Sequence, residues 1–148
     1  MTKSQITTNN KIKPLIIKDR GKEVVKSKIK IHYILALENY KLIKIKENKT
    51  GKDYKRMSDC LHNLALIHES REEFTEAIEL YKKSVILYKY NMRSVFNLLF
   101  HYKKRNNKEM FIKCIRILRE IFTNHTYLIP SKYIKSIEAV LEDYRFLL

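Results

Sequence analysis

The sequence predicts an all-α protein: a short solenoid of antiparallel helix hairpins, with a long helix before it and a capping helix after it. Three observations carry this. Only two Gly and two Pro occur in 148 residues, and no strand-like alternation is sustained. Apolar residues instead recur three and four apart, the spacing that puts them on one face of a helix. Finally, Asn63-Leu64 recurs as Asn97-Leu98, 34 residues later, a period typical of stacked helical repeats.

Residues 1–21 read as a basic disordered tail and residues 22–148 as one helical domain. Residues 1–30 hold nine Lys and Arg against two acids. Met1–Lys18 is acid-poor, as organellar transit peptides are, but it carries Lys instead of Arg and includes Pro14. A long helix is expected over 22–47, because Val25, Ile29, Tyr33, Ala36, Tyr40 and Ile43 form one continuous stripe. Asn48-Lys49-Thr50-Gly51 breaks it.

The best-formed unit spans 58–91. Leu61, Leu64, Ala65 and Ile67 give its first helix an apolar face. Phe74, Ala77, Ile78, Tyr81, Val85 and Tyr88 do the same for its second. Ser70-Arg71-Glu72-Glu73 between them has the spacing of a capping box, so a helix is expected to start at about Ser70. A second unit spans 92–125. Its second helix matches the first unit at an offset of 37 (Phe111, Cys114, Ile115, Leu118, Phe122), which predicts three residues inserted in the turn near Asn106-Asn107, with Asn106 and Glu109 capping. Pro130 ends a linker, and Ser131–Leu148 is expected to form the capping helix. Two and a half repeats is fewer than usually stand alone, so the chain is expected to be a small paralogue, a piece of a longer solenoid, or a chain that docks on a partner.

These positions resemble the tetratricopeptide repeat (TPR). Leu61, Leu64-Ala65 and His68 take its first-helix positions, and Phe74, Ala77, Tyr81 and Ser84 its second-helix ones. The chain departs from the pattern at Ala65, His68 and Lys89. The long first helix has the look of a degenerate upstream repeat, with a spacing similar to that of kinesin light chain and related cytoskeletal adaptors. Phe96-Asn97-Leu98, Tyr102, Asn106-Asn107-Lys108-Glu109, Phe111 and Cys114-Ile115 are similar to a repeat in the TPR subunit of the intraflagellar transport B complex. The resemblance implies a right-handed solenoid, a scaffold function, and a ciliary or cytoskeletal assembly.

Net charge is +15, which raises a second expectation: a basic helical-repeat protein that binds RNA or acidic surfaces through Lys11, Lys13, Lys18, Arg20 and Lys22. Lys outnumbers Arg 23 to 8, however, and Ile and Asn are abundant, a profile that an AT-rich genome produces without selection for binding. Nucleic acid is therefore the less favoured partner. No apolar run approaches a membrane span, and no signal-peptide core is visible, so a reducing, cytoplasmic compartment is expected.

No catalytic, metal or cofactor site is expected. Gly51-Lys52-Asp53 lacks the upstream Gly and the Ser/Thr of a phosphate loop. Cys60 and His62 have no completing metal-ligand pair. Cys114 takes a small packing position and reads as structural. Function is expected on the first helix of each hairpin, the one that lines the concave groove of stacked repeats. That selects Asp59, His62, Asn63 and Leu66 in one unit and Arg93, Phe96, Asn97 and Phe100 in the other. The Asn pair is one period apart, and each amide offers a donor and an acceptor to an extended peptide. Phe96 and Phe100 would supply apolar pockets unless the capping helix covers them. His62 and Leu66 stand where chaperone-tail-binding TPR proteins use Lys and Asn, so that clamp is not expected.

Overall fold

The computed structural model describes residues 19–147, with side chains from Lys30 onward. Among them are six α-helices and no strand: α1 (Asp19–Lys44), α2 (Gly51–Ser70), α3 (Phe74–Leu87), α4 (Met92–Lys104), α5 (Lys108–Asn124) and α6 (Ile134–Asp143). The all-α expectation is met. No described helix is long and apolar enough to cross a membrane. The chain divides after Tyr88 into two compact units.

In the first unit α1 packs on α2, and α2 on α3. Ala36 of α1 and Leu61 and Leu64 of α2 centre a core. Tyr33, Leu37 and Tyr40 close it from one side, Leu80 and Leu87 from the other. The long helix starts at Asp19, inside the segment expected to be a tail, and stops at Lys44 instead of residue 47. Residues 45–50 are used to turn the chain into α2. There Thr50 Oγ1 accepts the Asp53 amide at 3.3 Å, and the Thr50 amide donates to Asp53 Oδ2 at 2.9 Å, a reciprocal capping box. Lys46 Nζ reaches the same oxygen at 2.9 Å.

The capping box expected at Ser70 is not made. Ser70 is the last residue of α2, and its hydroxyl donates to the Ile67 carbonyl at 2.6 Å. The turn is instead a Schellman motif. The Glu73 amide donates to the His68 carbonyl (2.9 Å), the Glu72 amide to the Glu69 carbonyl (2.9 Å), and Glu72 takes φ 59°. The α2–α3 pair is close. Ala65 and Ala77 are fully buried, and two serines clasp the helices. The Ser58 hydroxyl donates to the Ser84 carbonyl (2.7 Å), and the Ser84 hydroxyl returns to the Ser58 carbonyl (2.9 Å).

In the second unit α4 packs on α5 and α5 on α6. Its turn repeats the first one at a distance of 34 residues. The Asn107 amide donates to the Tyr102 carbonyl (2.9 Å), the Asn106 amide to Lys103 (3.1 Å), and Asn106 has φ 56°. The expected three-residue insertion is therefore absent. Asn107, not Asn106, caps α5, accepting the Met110 amide at 3.2 Å. The backbone register places bulky Phe111 where the first unit has Ala77, and Leu99 where it has Ala65. This pair accordingly makes fewer close backbone approaches than α2 with α3. The expected helix over Ser131–Leu148 is shorter. Its α-helical part is Ile134–Asp143, with single 3₁₀ turns at Ser131–Tyr133 and Arg145–Leu147. Ile137 is its fully buried anchor, and Tyr144 meets Phe111 edge-on with centroids 4.9 Å apart.

Candidate functional site

The first unit carries a cleft of about 730 Å³ between α1 and α2. Helical periodicity builds both walls. His32, Leu35, Ala36, Asn39 and Ile43 line it from α1, and Lys52, Lys55, Arg56, Asp59, Cys60 and Asn63 from α2. Lys52, Lys55 and Arg56 are exposed and make no ion pair among the described residues. Asp53, one residue past Lys52, does not neutralise them. The Thr50 amide first, and then Lys46, hold its carboxyl well below its ordinary value of 3.8, at about 2, so it stays ionised and committed to the cap.

Of the residues selected from the sequence, Asp59 and Asn63 stand in this cleft. Asn63 is 7% exposed, and its Oδ1 is buried with no hydrogen-bond partner among the described residues. A buried amide oxygen left unpaired is costly, so this one calls for an explanation. His62 and Leu66 were expected on the same face, and the structure corrects that. Both are core, 0% and 1% exposed, with the His62 ring packed 5.4 Å from Tyr81. His62 is turned toward α3, and neither buried side chain is available to a partner.

In the second unit Asn97 Nδ2 is likewise buried without a hydrogen-bond partner. Arg93 is half-buried, and Phe96 is covered by the C-terminal segment, its ring 6.1 Å from Tyr133. Phe100 is 60% exposed, with Lys104 Nζ 5.8 Å from its ring centroid. Of the electrostatic tail, Lys11, Lys13 and Lys18 lie outside the described residues. Arg20 and Lys22 fall in the first turn of α1, where only the backbone is described.

Cys114 is buried, and burial pushes its thiol up to about 12, so it packs and does not ionise near neutral pH. Among the described residues no group of three or more His, Cys, Asp or Glu side chains could hold a metal ion. Sequence reasoning missed Lys52, Lys55 and Arg56. Their three-and-four spacing with Asp59 and Asn63 was visible, but they precede the best-matching repeat, which begins at Ser58. Compared with family models, characterised proteins and solved structures, the chain matches none.

Proposed function

We propose that the chain is a TPR-like protein-interaction module that binds a peptide or partner helix through the first helix of each hairpin, and that its role is binding, not catalysis. The observation that carries this is the pair of Asn63 and Asn97. They stand 34 residues apart on α2 and α4, and each buries an amide atom that no described group satisfies. Turned toward a bound partner, each amide would exchange its unpaired buried position for backbone bonds, since it offers both a donor and an acceptor. The repeated Schellman turn, at the same period, supports the repeat character of the two hairpins. The solenoid arrangement, and the ciliary or cytoskeletal setting implied by the resemblance, belong to this proposal.

Affinity capture from the native cell tests it, run in parallel with wild-type protein and with an Asn63→Ala, Asn97→Ala variant of unchanged helicity. Proteins retained by the wild type and lost by the variant are the expected result. An identical set from both would count against it.

A further inference from the structure

The first unit has a second feature, on the outer side of α1. Ile31, Ile34, Leu35, Leu42 and Ile45 are 55%, 48%, 54%, 64% and 76% exposed. Positions 31, 35, 38, 42 and 45 step by four, three, four and three; the middle one is Glu38, and Ile45 stands one residue past the end of α1. That is the seam spacing of a helix that packs along another helix, and it covers about 21 Å of axis. Core residues Ala36 and Ile43 occupy the opposite side of the same helix. The helix thus carries a second, largely apolar stripe interrupted by Glu38, which no described element packs against.

The borders of this stripe say what fits it. Lys30, Lys41 and Lys44 follow one flank. The other flank opens, through Leu35, into the cleft whose far wall carries Lys52, Lys55 and Arg56 against one acid, Asp59. Glu38 is the one acid between Lys30 and Lys46, and it lies 3.9 Å from Lys41. A second copy would set lysine against lysine along the whole seam. A flat anionic bilayer would cover the outer stripe but could not enter the cleft. We propose that this face docks a partner's amphipathic helix whose apolar stripe is bordered by Glu or Asp on both sides.

The proposal rests on the reading of the chain as an interaction module but not on its Asn residues. The two fail separately, because Asn63→Ala probes the cleft floor and leaves the outer stripe intact.

Full-length protein is titrated with a fluorescent synthetic helix of Leu and Glu in heptad pattern, and with its counterpart carrying Lys in place of Glu. The Glu helix is expected to bind, and its affinity to fall steeply with added salt. Leu42→Glu with Ile45→Glu, both at exposed positions, should abolish binding without loss of helicity. Lys55→Glu with Arg56→Glu should weaken the Glu helix by about tenfold and give measurable binding of the Lys helix. Failure of the wild type to bind the Glu helix overturns the proposal. So does sedimentation as a dimer that Leu42→Glu dissociates, or tighter binding of the wild type to phosphatidylserine vesicles or to single-stranded RNA than to the Glu helix.

Discussion

Asp53 ties three parts of one turn together: the Thr50 amide, the Thr50 hydroxyl and the Lys46 ammonium all reach Oδ2. Its carboxyl is lowered in the folded chain from 3.8 to about 2, so the ionised form is the one folding favours. The stabilisation is therefore complete above its unfolded value and is lost as pH falls through about 2. An acid titration followed by far-UV circular dichroism should show a helicity loss in that window, and Asp53→Asn should remove that step. A transition of the same size in the variant would sink the assignment. The cap was legible as a Thr-x-x-Asp spacing. It went unread because Asn48, Thr50 and Gly51 look like a break, and because the conspicuous Ser70-x-x-Glu73 competed with it. At Ser70 the hydroxyl had a nearer acceptor, the Ile67 carbonyl one turn back.

At the scale of the element, the two hairpin turns share one backbone solution with different residues at its strained point. Glu72 and Asn106 both lie in the left-handed region, at φ 59° and 56°. Asn tolerates this region better than most residues, while Glu bears the full steric cost and Gly none. Glu72→Gly is expected to stabilise the first unit by about 0.5–1 kcal/mol, read as a higher midpoint in urea. A lower midpoint would mean that the His68–Glu73 contact across this turn, 2.9 Å, depends on Glu72. The missing Gly is why the start of α3 is expected too early: the usual signal of a left-handed turn residue is absent, and only the hydrogen-bond pattern shows that the turn runs on to Glu73. The offset of 37 misled for a related reason. Helical periodicity returns an apolar face every three or four residues, so a shift of three keeps the face while changing the register. Side-chain size argued for Cys114 opposite Ala77, but the turn geometry fixed Phe111 there instead.

At the scale of the whole molecule, the two units are built to different tolerances. The first places Ala65, Ala77, Ser58 and Ser84 between α2 and α3, all fully buried. The second has Leu99, Phe111, Met92 and Leu118 at the matching positions, and its helices approach closely at fewer places. Amide hydrogen exchange is expected to be slower through α2 and α3 than through α4 and α5, since close backbone packing opens less readily. Equal or reversed protection would contradict this. The helical class and the hairpin order were legible because three-and-four spacing is a strong signal. The cleft and the outer stripe of α1 were not. Both depend on which of two apolar faces a neighbour covers, and periodicity alone does not distinguish a covered face from a bare one.

The clasp of Ser58 and Ser84 has one more consequence. Each hydroxyl donates to the other residue's carbonyl, so the pairing is satisfied in a single alignment of α2 against α3. Apolar side chains alone let neighbouring helices slip past one another at modest cost. Here a slip of one turn would strand two buried hydroxyls in a dry seam. The serines thus work as a detent, fixing where the hairpin stops sliding.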